Sequence, residues 1–511
     1  YNKMAKVVQC QTFDGRRVEF IDEVIGSGAM KDVYFSPDKS YVVCFFSKEK
    51  NKFYDSKATL EQQKDRLKEI VGNKWQGIFN GVGGEYWKNI FCWPDGLVEY
   101  NNLLGITAPT YKNQFFFEFG SKNNDFLQIK GKEKEGKWFA SANNQNKFLD
   151  EREKGNWLNY LKIGILIARA VRRMHAAGLA HSDLSYKNVL VDPVTGNACV
   201  IDVDGLVVPG KYPPDVVGTP DFIAPEVVRT SHLSKDNPDR FLPSIATDKH
   251  ALAVLIYMYL LYRHPLRGGK IHDMSDPQKD ETLGMGEKAL FIEHPADHSN
   301  QVKTSQLKVS QQPWADPAKV PYTVTGPYLS ELFKKSFIDG LHDPAKRPSA
   351  NEWETALVKT VDLIQPCRNH RCGQKWYVFD NSTQPECPFC HTPFKGKLPI
   401  LNLYSARQQG NFRPDNHRLM VWTGQSIYAW HANNLIAPNE RLTADQIKRK
   451  GYFVLHNDVW WLVNEDLPDL TDVANKTAIP IGGKIELKEG VQILFSKEDG
   501  GRLAVVQMVE A

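Results

Sequence analysis

The chain has 511 residues, of which 41% are apolar, enough for three or four domains with substantial cores. A net charge of only +4 without any basic tract gives no reason to propose nucleic acid or a membrane surface as a partner. The longest apolar run, residues 251–262, is too short to cross a bilayer, and the first ten residues lack the charged and apolar parts of a secretory leader.

Residues 17–46 alternate in the manner of strands, with a hairpin signal at SPDKS (36–40) and a glycine-rich stretch, GSGAMKDV, at 26–33. A helix is predicted over 56–73, with Leu60, Leu67, Ile70 and Val71 along one face. Residues 91–111 read as two strands around the turn EYNN, and the Lys-, Asn- and Gly-rich stretch 121–155 reads as an irregular linker. A long apolar-periodic helix is predicted over 156–180, ending at Gly178. It leads into the most informative block: HSDLSYKNVLV (181–191), CVIDVDG (199–205) and GTPDFIAPE (218–226). Residues 247–268 read as a buried helix, and residues 269–326 as an enlarged segment without a legible role.

Phosphoryl transfer needs a carboxylate near the attacking hydroxyl, plus an amide oxygen and a second carboxylate to hold Mg²⁺ on the nucleotide phosphates. Asp183, Asn188 and Asp202 supply these in order, each delivered by an apolar strand or the tight loop before it. The block resembles the catalytic loop, metal-binding loop and P+1 segment of the eukaryotic-type protein kinases. That resemblance implies a bilobal kinase fold, ATP and Mg²⁺ as cofactors, and a protein substrate. It makes Asp183 the catalytic base and Asn188 and Asp202 the magnesium ligands. Lys187 either reaches the γ-phosphate or is simply solvated.

The same resemblance extends upstream. Gly26, Ser27, Gly28 and Val33 match the kinase Gly-rich loop, but its third glycine is Lys31, and the strand YVVCFF (41–46) carries Cys44 or Phe45 where kinases place a lysine. A cation is still required against the phosphates. In the with-no-lysine kinases it comes from the Gly-rich loop, so Lys31 is the expected phosphate-binding lysine. Lys48 folding back, or no lysine at all, are the other readings. The second of these would make the chain a nucleotide-binding pseudokinase scaffold. Glu61 or Glu69 is the candidate helix partner of the lysine. Thr107, Ala108 and Thr110 are the expected gatekeeper and adenine-hinge contacts, with FFFEFG (115–120) as the other hinge candidate. Asp204 is an extra acid near the metal. Thr219 is expected near Asp183, Asp248 under the catalytic loop, and Glu226 paired with Arg347. Ser182 replaces the arginine that binds a phosphorylated activation loop, and residues 206–217 contain no Ser or Thr, so control by phosphorylation there is not expected.

Four cysteines are scattered, whereas Cys367, Cys372, Cys387 and Cys390 cluster around a short apolar stretch. This pattern favours a reducing, cytoplasmic location and a closed structural Zn²⁺ site, with His370 able to replace one ligand. From about 399 onward, short strands alternate with turns as in a β-sandwich. GGKIELKEGVQILFS (482–496) is similar to the closing strands of forkhead-associated domains, although their phosphothreonine-reading residues find no match. The expected fold class is α+β. Its parts are a kinase-like domain at 1–364 (N-lobe about 1–110, C-lobe about 111–364), a zinc ribbon at 365–398 and an antiparallel β-sandwich at 399–511. The combination resembles the kinase of bacterial triads tied to tellurite resistance. It implies a von Willebrand factor A (TerY-like) protein and a PP2C-type phosphatase as partners.

Overall fold

The computed structural model describes residues 5–206, 208, 211, 218–379 and 385–511. In the N-terminal lobe, β1 (Val7–Gln11) and β2 (Arg17–Ile21) form an antiparallel ribbon. Beside it lies a five-stranded antiparallel sheet of β3 (Gly26–Ser27), β4 (Lys31–Phe35), β5 (Tyr41–Phe46), β6 (Gly96–Tyr100) and β7 (Leu103–Pro109), in the order β3-β4-β5-β7-β6. Alternation along each strand sorts the side chains onto two faces. Val43 and Phe45 pack with Val18, Phe20 and Val98, while Cys44, Phe46, Leu104 and Ile106 pack against Leu67 of the helix Lys57–Glu69. Ser56 caps that helix by accepting the Thr59 N–H at 3.2 Å. Asn101 and Asn102, both at positive φ, close the β6–β7 hairpin at the predicted turn. The ribbon strand β1 lies before the predicted strands and was not anticipated.

The C-terminal lobe is built on the helix Trp157–Ala176, capped by Asn156 and ended by Gly178 at φ +72°. It packs against the helices Ile245–Leu261 and Ala350–Val361. The second of these three is apolar all round and almost wholly buried, as expected for a core helix. It ends at Tyr262, in the left-handed region, six residues earlier than its sequence pattern suggested. The catalytic-loop strands β8 (Val189–Asp192) and β9 (Asn197–Val200) pair antiparallel.

The stretch 121–155 is no linker. Its Phe139 and Leu149 are in the main core, and Lys134 is buried between Asp192 (3.0 Å) and Glu153 (3.4 Å). Residues 269–326 likewise pack inward through Phe291, Ile292, Trp314 and Val320.

After the last kinase-like helix, β10 (Ile364–Pro366) pairs with β11 (Trp376–Val378) beside the four clustered cysteines. The remainder forms two antiparallel sheets. One comprises β12 (Lys397–Ala406), β13 (Phe412–Met420), β17 (Thr471–Asp472), β18 (Thr477–Ala478), β20 (Gln492–Leu494) and β21 (Arg502–Glu510). The other holds β14 (Ser426–Ile427), β15 (Gly451–His456), β16 (Val459–Asn464) and β19 (Lys484–Glu486). Leu401, Leu419, Ile493 and Val506 of the first share a core with Phe453, Leu462 and Ile485 of the second. Two local expectations fail here. Within the predicted run of short strands, residues 426–432 leave β14 for a short helix at Ala429–Ala432, and the strand β12 went unread. This unit docks on the kinase-like lobe through Asp362, whose carboxylate bonds His417 Nε2 (2.6 Å) and His431 Nε2 (3.0 Å), and through the Arg172–Glu440 ion pair at 2.7 Å.

Candidate active site

The catalytic block folds into one interlocked loop system. Asn188 donates from Nδ2 to the Asp183 carbonyl (2.7 Å) and to its Oδ2 (3.1 Å), and Thr219 donates from Oγ1 to Asp183 Oδ1 (2.9 Å). With its amide hydrogens turned to Asp183, the Asn188 oxygen is the atom left to face a cation. Asp202 is brought alongside by the backbone, because Ile201 N–H donates to the Asn188 carbonyl at 3.0 Å. Asp202 itself sits at φ +59°, a left-handed conformation that aspartate tolerates better than most residues. An amide oxygen and a carboxylate so arranged suit Mg²⁺, which prefers hard oxygen ligands.

Asp248 braces the loop from below. Its carboxylate accepts the His181 N–H (2.7 Å), the Ser182 N–H (3.1 Å) and His175 Nε2 (2.9 Å). Glu226 and Arg347 form a bidentate pair at 2.7 and 2.8 Å, both buried. Lys187 is exposed, and its backbone N–H donates to Ser185 Oγ at 3.2 Å.

Lys31 reaches this loop from the other lobe. Its Nζ lies 2.6 Å from Asp204 Oδ1 and 3.1 Å from Asp202 Oδ1. Burial pulls the lysine pKa down, but the carboxylates of Asp204 and Asp202 outweigh it and hold the ammonium well above its ordinary value. Asp202 is correspondingly lowered, first by the Lys31 charge. Lys48 does not compete, since its ammonium lies 6.0 Å above the Tyr54 ring.

The face of β5 that looks toward the helix carries Cys44, whereas Phe45 points to the opposite cluster. Cys44 therefore occupies the position of the missing lysine. Its thiol is pushed up to about 12 by burial, with Lys31 opposing, so it is neutral. At the tip of the flap, Gly26, Ser27 and Gly28 are exposed. Ser27 donates to Asp32 at 2.6 Å, and Lys50 Nζ bonds Ser27 Oγ (2.7 Å) and the Gly28 carbonyl (3.0 Å). Val33 lies across from Cys44 in register and packs with the same cluster.

Three expectations need correction. Thr107 does not face the cleft, because its hydroxyl donates to Asp95 Oδ1 (2.6 Å) and accepts from Arg16 (3.1 Å) on the other side of the sheet. Ile106, opposite Cys44 in register, has the inward position. Thr110 is tied to the β4–β5 turn through the Ser40 and Lys39 carbonyls, so Ala108 is the one of the three on the cleft side of β7. Finally, neither helix glutamate approaches Lys31. Glu61 lies 3.6 Å from Lys64 and Glu69 lies 3.6 Å from Lys211. The missed partner, Asp204, had one visible signal, a second acid two residues after Asp202. Most of residues 206–217 lies outside the described residues.

Residues 129–355 match the protein kinase domain family. The matched stretch is similar to a eukaryotic-like serine/threonine protein kinase domain. The chain is 24% identical over 354 residues to the probable serine/threonine-protein kinase fhkA of Dictyostelium discoideum, covering 60% of this chain and 56% of that one. It is 28% identical over 253 residues to the serine/threonine-protein kinase PknD of Chlamydia felis, covering 41% of this chain and 25% of that one. A third relative, the death-associated protein kinase dapk-1 of Caenorhabditis elegans, is 32% identical over 124 residues, or 8% of its length. The chain thus spans between 8% and 56% of these relatives. The family match begins after the N-terminal sheet, so the flap and Lys31 lie outside it.

A second cluster stands apart from the kinase site. The sulfurs of Cys367, Cys372, Cys387 and Cys390 all lie within 4.8 Å of one another, with Cys367–Cys390 at 3.5 Å and Cys372–Cys387 at 3.9 Å. Four thiolates about 2.3 Å from a tetrahedral zinc would stand roughly 3.8 Å apart, so the set fits that metal. His370 is exposed and outside the group. Among the described residues no helix is long and apolar enough to cross a membrane.

Proposed function

We propose that the chain transfers the γ-phosphate of ATP to a serine or threonine hydroxyl of a protein. Asp183 takes the hydroxyl proton, Asn188 and Asp202 hold Mg²⁺, and Lys31 meets the phosphates in place of a strand lysine. Bound magnesium would supply charge neutralisation between the phosphate groups. Gly26, Ser27, Gly28, Val33 and Ala108 surround the nucleotide, and Thr219 steadies Asp183. The observation that carries this reading is the approach of Lys31 to Asp202 across the two lobes, 3.1 Å apart. Lys187 is assigned no contact.

The four-cysteine group is proposed to hold a structural Zn²⁺ that stabilises a segment too small for a core of its own. The terminal sheets are proposed as an interaction unit of forkhead-associated type without its phosphothreonine readout. A cytoplasmic location rests on the cysteine pattern, and the von Willebrand factor A protein and PP2C-type phosphatase as partners in a tellurite-resistance system rest on the domain combination alone.

The test is incubation of the full chain with labelled ATP and Mg²⁺, with and without candidate proteins, for the wild type, Asp183→Ala and Lys31→Ala. Transfer in the wild type and its loss in both variants is the expected result. Label persisting in Asp183→Ala would overturn the base assignment, and ATP binding without transfer in the wild type would make the chain a nucleotide-binding scaffold.

A further inference from the structure

A lysine laid against phosphates needs a fixed acid behind it, because an unpaired ammonium on a flap has many rotamers and strong hydration to choose from. Protein kinases draw that acid from the helix of the N-terminal lobe. Here, among the described residues, no acid of the helix Lys57–Glu69 pairs with Lys31: Glu61 is half exposed beside Lys64, Asp65 is exposed, and Glu69 faces Lys211. Toward the metal loop the helix presents instead the buried Arg66, whose Nη2 lies 3.8 Å from where a Cβ would stand on Gly205. Where the helix brings a cation, the acid has to come from the loop.

Two loop carboxylates touch Lys31. Asp202 lies 3.1 Å away with 54% of its side chain exposed, and it is the proposed metal ligand. A carboxylate shared with a divalent ion has less charge to offer an ammonium. Asp204 is closer, at 2.6 Å, and only 11% exposed. It is carried by a one-turn helix, Val203–Gly205, whose Val203 is buried in the main core.

We propose that Asp204 is the positioning residue for Lys31, taking over from the loop side what a helix glutamate does elsewhere. The inference rests on the kinase reading of the site. It makes the position of the lysine depend on the conformation of residues 202–205 and not on the swing of the helix.

The experiment is a double-mutant cycle on the full chain with Asp204→Asn, Lys31→Met and both together, plus Asp204→Glu. Mg²⁺–ATP affinity is read by calorimetry, and kcat and KM for ATP by phosphotransfer, with urea unfolding run on each variant. Expected is a loss of about tenfold in ATP affinity for Asp204→Asn, the size of coupling usual within one ion-pair network, no further loss on adding it to Lys31→Met, and partial recovery in Asp204→Glu. Wild-type affinity and KM in Asp204→Asn, or losses that multiply in the double variant, would overturn the proposal even if phosphotransfer is intact. So would a wild type that binds no ATP. A coupled loss of affinity in a wild type that transfers no phosphate would leave Asp204 in this role and remove the kinase reading instead.

Discussion

Replacing Arg347 with Leu would remove the cation from a deeply enclosed ion pair of the C-terminal lobe. Its guanidinium gives 2.7 and 2.8 Å bonds to Glu226 and further bonds to the carbonyls of Gly340 (2.8 Å), Ala246 (3.0 Å) and Leu341 (3.1 Å). The two side chains are only 1% and 6% exposed, so the stranded Glu226 carboxylate could not recover its loss from water. Breaking such a pair costs about 3–5 kcal/mol, most of it from the uncompensated charge. Glu226 lies in the first turn of the short helix Pro225–Arg229, at the end of the P+1-like segment, so phosphotransfer should fall together with stability. Urea unfolding followed by tryptophan fluorescence, with Trp353 and Trp314 buried in this lobe, measures the first effect. The exposed Lys334–Glu331 pair, at 45% and 74% exposure, is the control and should contribute less than about 1 kcal/mol. Pairing Arg347→Leu with Glu226→Gln should restore part of the loss. A single variant within about 1 kcal/mol of wild type, or a double variant as weak as the sum of its parts, would refute the burial argument.

Acid should weaken the same lobe through His264. Its Nε2–H donates to the Asp221 carbonyl (2.7 Å) and its Nδ1 accepts from Leu266 N–H (3.1 Å), so only the neutral ring fits. Burial, against the pull of Asp221, pushes its pKa down to about 4. The folded value is the lower one, so its contribution is complete above the unfolded pKa near 6.5 and is lost as pH falls toward 4, about 3 kcal/mol in all. The difference in stability between wild type and His264→Gln should therefore shrink between pH 7 and pH 4.5, and a constant difference would contradict it. One zinc per chain is expected by elemental analysis, and Cys372→Ser should lose it and expose residues 364–378 to proteolysis. Retention of a full equivalent in that variant would rule out the four-sulfur site. Moving the lysine back, by Cys44→Lys in Lys31→Ala, should restore phosphotransfer to within about tenfold of wild type. No recovery in a folded double variant would count against the equivalence of the two positions.

How much of this was legible in the sequence divides along a physical line. Asp183, Asn188 and Asp202 were readable as polar residues set beside apolar strands, whereas Thr219, Asp248 and the Glu226–Arg347 pair were expected only because their motifs resemble those of the protein kinases; their burial then forces such groups to find one another. Side-chain facing within strands was not. A period of two says that Thr107 and Ile106 point to opposite faces, but not which face borders the cleft, and the error put the hydroxyl on the wrong side. The stretch 121–155 misled for a related reason. Its polar composition suggested a linker, whereas a buried Lys134 between Asp192 and Glu153 lets a lysine-rich segment pack inward. Helix Lys57–Glu69 showed its apolar face but not the absence of an acid toward the site, since charge on a helix is placed by its neighbours and not by periodicity.

The displaced lysine follows from sheet geometry. Lys31 pairs with Phe46 and Val33 with Cys44, and partners across an antiparallel pair point to the same side, so Lys31 and Cys44 project from one face of the sheet. They stand on a diagonal, about 4.8 Å apart across the strands and two residues, or about 6.8 Å, along them. A lysine stem is about as long as that offset, so an ammonium launched from either residue can arrive over the metal loop. The strand residue can then be small and neutral, as Cys44 is, leaving room for the stem that crosses it. The cost of the arrangement is mobility, because β3 has only two residues and the flap tip is exposed. An acid on the loop side is what offsets that mobility, which is why the second aspartate of the Asp-Val-Asp turn and the relocated lysine make physical sense only together.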